Sequence, residues 1–135
     1  PDLTAFCVLM NAVFDFSLQE VARRFPVPQL NDNRIKHWLA FLDERPVGAG
    51  TTVSVGNVDS VWNMCTVDSY RRQGVATTLL YQMLTDTRAN GSVASMLYST
   101  AYAYNFFAGF GFETFTQRQW FLPPGIEFED DGDEL

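Results

Sequence analysis

Two cysteines, one histidine and nine Lys and Arg are few for a chain of 135 residues. Cys7 and Cys65 are too few for a disulfide framework or a metal-binding cysteine cluster. With His37 as the only histidine, His and Cys alone cannot assemble a zinc site, and no metal is expected. There is no basic stripe along the chain, which disfavours nucleic-acid binding. No apolar run approaches the roughly 18–20 residues that span a bilayer, so no membrane partner is expected. Pro1-Asp2-Leu3 has neither a basic n-region nor a cleavable apolar segment, and therefore no secretory signal. Pro1 in place of an initiator Met suggests an excised domain or a processed chain. These absences together point to a reducing, cytoplasmic compartment.

What the chain does have is apolar bulk. Hydrophobic residues make up 47% of it and twelve residues are Phe, which excludes disorder along the body. The formal net charge of −7 belongs mostly to one end. Glu127, Glu129, Asp130, Asp131, Asp133 and Glu134 are six of the sixteen acids; the remaining ten face nine Lys and Arg, a net −1. The expected organisation is a single domain over 1–126 and an acidic C-terminal tail over 127–135. The tail reads as solvated and mobile, with a cation-attracting or partner-docking segment as the alternative. A homodimer is compatible with this composition.

Residues 4–14 read as an apolar helix with Thr4 as a candidate N-cap. Ser17-Leu18-Gln19-Glu20 has the form of a capping box opening a second helix, which Pro26 and Pro28 terminate. Asn31-Asp32-Asn33 is loop. From Arg34 the period changes to two, predicting a strand through Ile35, His37, Leu39 and Phe41. A turn at Asp43–Pro46, a second strand through Val47–Val55, a turn at Gly56-Asn57 and a third strand over 60–67 make a three-stranded antiparallel meander. Val75, Leu79, Leu80, Met83, Leu84 and Thr87 then fall at helical spacing, and Asn90-Gly91 closes that helix. A strand over 93–99, paired parallel with the third, a short helix over 101–109 and a last strand over 112–122 complete the pattern.

Tyr70-Arg71-Arg72-Gln73-Gly74-Val75-Ala76 lies between the third strand and the long helix. Gly74 lets the backbone approach a ligand closely. The helix's first turn offers unpaired N–H groups at the positive end of its dipole. This arrangement suits an anion, above all a phosphate; the plain alternative is an ordinary strand-to-helix turn. A second segment, Phe106-Phe107-Ala108-Gly109-Phe110-Gly111-Phe112, follows the next strand and a short helix.

On these two motifs, in this order, the chain resembles the GNAT superfamily of N-acetyltransferases. The family signature is Gln/Arg-x-x-Gly-x-Gly/Ala after a central strand, followed some thirty residues later by an aromatic-rich helix ending in Gly-Phe. The resemblance runs from about Ile35 to Trp120. It implies an α/β (α+β) chain with the GNAT fold, a central mixed β-sheet flanked by helices. The family's first strand is apparently missing and is expected upstream of Pro1 in a longer parent.

The resemblance also implies a site. Met64, Cys65 and Thr66 would line acetyl-CoA, the co-substrate, through main-chain groups, with an N–H near Thr66 polarising the thioester carbonyl. Arg71, Arg72, Gln73, Gly74, Val75, Ala76 and Thr77 would hold its pyrophosphate. Thr100 stands where many members carry Asn. Phe107 stands where they usually carry the tyrosine that protonates the leaving sulfur, and it has no proton to give. Tyr104, one helical turn earlier, is the candidate substitute acid, with helix-surface packing as its alternative; Tyr98 and Tyr102 are further candidates. No general base is evident: Asp59, Asp68 and His37 read as turn, cap and packed residues. Phe6, Phe14, Phe16, Phe25, Trp38 and Trp62 could wall an acceptor site or simply form core. The implied function is transfer of an acetyl group from acetyl-CoA to a primary amine of a small molecule or peptide. The alternatives are a non-catalytic acyl-CoA-binding module and an enzyme moving a longer acyl group.

Overall fold

The change of period at Arg34 divides helical from sheet structure in the computed structural model, which describes residues 3–119 and 121–126. The described chain forms two compact units that divide between Tyr98 and Ser99. The acidic tail falls outside the described residues.

In the first unit, α1 (Leu3–Phe14) buries Phe6, Leu9 and Met10, the i, i+3, i+4 stripe of an amphipathic helix. It begins one residue ahead of Thr4, so Thr4 sits in the first turn rather than at the cap. The capping box opens α2 (Leu18–Arg24) as expected. Ser17 Oγ accepts the Glu20 N–H at 3.3 Å, and the Glu20 carboxylate accepts the Ser17 N–H at 2.9 Å. Pro26 follows the end of α2. Pro28, however, lies inside a short 3-10 helix (Val27–Asn31) that takes in Asn31 of the expected loop. Pro is tolerated there because the first turn of a helix needs no N–H from it.

The sheet is β1 (Ile35–Leu42), β2 (Arg45–Val55), β3 (Val58–Thr66) and β4 (Ala94–Leu97), side by side in that order. The first two pairings are antiparallel and β3–β4 is parallel, with α3 (Val75–Ala89) as the crossover. The β1–β2 turn is tighter than the predicted four residues. Asp43 and Glu44 take φ of 47° and 65°, the two-residue mirror-image turn whose twist suits a hairpin. β2 is buried without a break from Val47 to Thr52, because helices cover both its faces. On one face Ala49 packs into the core of Phe6, Leu9, Met10, Val21, Phe25 and Cys65. On the other, Gly48 and Gly50 bring the strand's backbone against α3. A Cβ on Gly48 would meet Val75 Cγ1 at 2.8 Å, and one on Gly50 would meet Met83 Sδ at 2.9 Å. Lys36 Nζ and Asp86 pair at 2.6 Å and tie α3 to β1.

The second unit holds α4 (Tyr104–Gly109), shorter than the expected 101–109 because residues 101–103 are a turn. Phe107 is buried there, its ring centroid 5.1 Å from Phe106 and 6.0 Å from Phe112. The last strand predicted over 112–122 does not form among its described residues. Phe115, Phe121 and Leu122 lie exposed. Alternating sequence reports a two-faced segment, but a strand also needs a neighbour to take its backbone hydrogen bonds.

Candidate active site

β3 is a different object at its two ends. Its first four residues pair on both sides, the β4 ladder running from Val58↔Ala94 to Val61↔Leu97. Past Val61 that ladder stops. The strand then bulges: Trp62 faces Thr51 and Cys65 faces Ala49, so Asn63 and Met64 together oppose Gly50. Asn63 takes the left-handed φ of 53° that such a kink needs.

Downstream of the bulge, Val67 N–H donates to Val47 O at 2.9 Å, with Thr66 opposite Gly48. Peptide groups alternate in direction along an antiparallel pair. The N–H and C=O of Thr66 therefore face away from β2, toward the side where β4 no longer pairs. The carbonyl is taken by Arg71 Nε at 3.3 Å. The Thr66 side chain is fully buried, and its Oγ1 has no hydrogen-bond partner among the described residues. A buried hydroxyl without a partner costs about 1–3 kcal/mol, a penalty that a ligand's polar group can relieve. Cys65 is fully buried in the core cluster with Phe6, Leu9 and Met10 of α1, and neither Cys7 nor Cys65 is in a disulfide.

The loop beyond Thr66 is held by its own side chains. Arg71 pairs with Asp68 at 3.0 Å besides its bond to Thr66 O, and Gln73 Nε2 donates to Ser69 O at 3.1 Å. Arg72 and Gly74 both take left-handed φ, 61° and 83°. Gly74 is the N-cap residue of α3, and no side chain caps the helix. A Cβ on Gly74 would meet nothing within 4 Å, so the space over the turn is open. Val75, Ala76 and Thr77 form the first turn, whose N–H groups have no partner one turn back in the helix. Arg72 is exposed beside this turn, a cation suited to a polyanion. The sequence-predicted set on β3, the loop and α3 is thus one contiguous run in space.

Four predicted residues, Thr100, Tyr102, Tyr104 and Phe107, belong to the second unit, and Tyr102 is exposed. Thr100 Oγ1 accepts the Ala103 N–H at 3.3 Å, closing the turn before α4. Tyr104 is exposed, its hydroxyl 3.5 Å from Thr114 Oγ1, and Phe107 is packed among Phe106 and Phe112. His37 packs as anticipated, 4.7 Å from the Phe6 ring and 5.7 Å from Phe25, with Nδ1 3.0 Å from Thr51 Oγ1. Burial holds its pKa below the ordinary 6.5. Asp59 is buried and accepts the Ser54 hydroxyl, while Asp68 pairs with Arg71. Among the described residues no group of His, Cys, Asp and Glu is placed to hold a metal ion. A hollow of about 470 Å³ opens at the opposite end of α3, lined by Thr87, Arg88, Ser92 and their neighbours, away from the Gly74 turn.

Sequence reading missed Gly48, Gly50 and the bulge. The glycines had a signal: isolated glycines inside a strand mark close approach of another backbone or helix. The bulge had none, since it is defined by register against β2.

The family model for the acetyltransferase (GNAT) domain matches residues 11–128, most of the chain. No curated protein matches. Among solved structures, an acetyltransferase from Trypanosoma brucei is 19% identical, with a TM-score of 0.71 over 90% of this chain and 92% of that one. AAC(6')-Iy, solved with a bisubstrate analogue, CoA-S-monomethyl-acetylneamine, is 14% identical, with a TM-score of 0.76 over 90% of each chain. The aminoglycoside 6'-N-acetyltransferase AAC(6')-IG from Acinetobacter haemolyticus is 16% identical, with a TM-score of 0.73 over 93% of each. These likenesses carry the mixed four-stranded fold, and the domain match carries the family: the chain belongs to the GNAT acetyltransferases.

Proposed function

We propose that this chain transfers an acetyl group from acetyl-CoA to a primary amine of a small molecule or peptide. The observation that carries the reading is Thr66. Its N–H faces the unpaired side of β3, directly ahead of a loop that ends in an uncapped helix. The family match spans both units and supports treating 1–126 as one domain.

Acetyl-CoA, when bound, supplies an activated thioester. Met64, Cys65 and Thr66 would flank its pantetheine arm, and the loop from Arg71 to Thr77 would receive its pyrophosphate on N–H groups, with Arg72 adding charge. Arg71 and Gln73 serve mainly as braces, since their polar ends are already engaged within the loop. The acceptor's neutral nitrogen attacks the acyl carbon, and the C–N bond forms as the C–S bond breaks. The nitrogen gives its proton to water and the departing thiolate takes one up, leaving an amide and free CoA thiol. A fixed N–H such as that of Thr66 stabilises the oxyanion with no reorganisation.

Proton delivery to sulfur is where this chain departs from its family. Phe107 has nothing to donate, and its buried aromatic setting favours a second reading, a module that binds acyl-CoA without turnover. Tyr104, then Tyr98 and Tyr102, and solvent are the remaining sources, with Thr100 a polar group on the turn before Tyr104. The experiment is thiol release from acetyl-CoA across a panel of amines, with Tyr104→Phe and Phe107→Tyr beside the parent. A general acid is worth ~10²–10⁴-fold. Tyr104→Phe should lower kcat at unchanged KM for acetyl-CoA if it is the acid. Phe107→Tyr should raise kcat by up to ~10²-fold. Equal turnover in all three would remove sulfur protonation as the limiting step, and no turnover in any would favour the binding module.

A further inference from the structure

Trp62 stands one residue past the last β3–β4 pair on its strand, and Tyr98 one residue past it on the other. Their rings meet at 6.2 Å between centroids, inclined at 54°. Both remain about half exposed, Trp62 at 44% and Tyr98 at 47%. Trp62 is the most exposed aromatic of the meander apart from Phe41, and it alone opens beside the unpaired end of β3. The indole is not loose. Its Nε1–H donates to Ser60 Oγ at 2.7 Å, and the Ser60 hydroxyl donates to Val53 O at 3.2 Å. A large flat surface is therefore fixed in place with its polar edge already satisfied, which leaves its faces for apolar contact.

Its position relative to the reaction is set by the strand. Trp62 precedes the bulge and Thr66 follows it, four residues and at most about 13 Å away along β3. On the transferase reading, a pantetheine arm leaving the Gly74 turn and passing Thr66 would run back along β3 in the direction of Trp62. Charge narrows the acceptor further. The cross-strand and diagonal neighbours on this face are Thr51, Val53, Ser60 and Met96, none of them a carboxylate. Asp59 turns to the opposite face, where it is buried and engaged by Ser54. A polycationic acceptor would find no counter-charge among these residues.

We infer that the Trp62–Tyr98 pair is the acceptor platform of this enzyme, and that the acceptor is a primary amine carrying an aromatic ring rather than a polycation. The inference rests on the transferase reading above and names the substrate class of that same site.

The test uses phenylalkylamines of increasing chain length, from benzylamine to 6-phenylhexylamine, against the aminoglycoside kanamycin as the polycation. Burying one aromatic group on the pair corresponds to about a 10- to 100-fold difference in affinity. Trp62→Ala should raise KM for the best phenylalkylamine at least tenfold with KM for acetyl-CoA unchanged, and Trp62→Phe should retain most of the parent's preference. The same amines should quench indole fluorescence in the parent and not in Trp62→Phe, a readout that needs no turnover. CoA titration by calorimetry separates the two ideas. Quenching without CoA binding leaves the platform standing and defeats the transferase reading; CoA binding without quenching or preference defeats the platform. Preference for kanamycin, or an unaltered acceptor KM in Trp62→Ala, overturns it. So does a dimer in the parent that becomes a monomer in Trp62→Ala, which would make the pair a subunit contact.

Discussion

The two ends of α3 are finished in opposite ways. At the C-terminal end Asn90 N–H and side-chain amide both reach Asp86 O, Gly91 N–H donates to Arg88 O, and Ser92 N–H to Thr87 O. At the N-terminal end Gly74 contributes a left-handed turn and no capping group. Serine, threonine or aspartate at a helix start is better than glycine by only roughly a few tenths of a kcal/mol, so Gly74 forgoes little stability while leaving the first-turn N–H groups without a side-chain acceptor. The closed end is what a helix does for its own stability. The open end leaves its first-turn N–H groups available to an anion, as the proposed pyrophosphate site requires.

The largest effect should come from placing a negative charge over the open end. Gly74→Glu should weaken CoA binding by about 100-fold or more, measured by calorimetry at low ionic strength, through repulsion of the phosphates. A Cβ meets nothing there, so the protein's own loss is the strain of a non-glycine residue at φ 83°, about 1–2 kcal/mol. Gly74→Ala carries that strain without the charge. Equal CoA affinity in Gly74→Glu and the parent would break the comparison.

A smaller change should follow at the same end from Gly48→Ala. The new methyl meets Val75 Cγ1 at 2.8 Å and Cys65 O at 3.1 Å, and overpacking of this kind costs about 1–3 kcal/mol. Denaturant unfolding should report that loss, with CoA affinity falling alongside as the first turn shifts. At the closed end, Asn90→Ala should cost at most about 1 kcal/mol and leave CoA affinity unchanged. A CoA defect in Asn90→Ala would mean the two ends are not independent.

Two weaker effects lie away from α3. His37 is held neutral by burial, its pKa below 6.5. The unfolded chain therefore binds that proton more readily, and stability should decline as pH falls below 6.5, with His37→Phe flattening the decline. Removal of 127–135 should change the melting temperature by less than a few degrees, since a strongly acidic end with only Phe128 and Leu135 as large apolar side chains is expected to bury little.

Local signals carried far in this sequence. The capping box at Ser17 and Glu20 and both bounds of α3 were readable because caps, periodicity and Gly-terminated ends act within a few residues. The Gly74 loop was readable for the same reason. What escaped reading depends on partners distant in sequence. The alternation over 112–122 looks like strand yet forms none among its described residues, because alternation cannot show whether a neighbour accepts its hydrogen bonds. The bulge at Asn63, the buried Thr66 hydroxyl and the outward turn of its N–H all follow from register against β2. A resemblance could point to Thr66; only the register says which way its peptide faces.

The bracing of the loop by Arg71, Asp68, Gln73 and Ser69 has a kinetic consequence. A turn whose two left-handed residues are already set has little ordering entropy left to lose at the moment of encounter. Association of CoA should then be a single encounter step, its observed rate rising linearly with concentration instead of levelling off at the rate of a slow isomerisation. Residence time, not arrival, is where substitutions in this loop would register.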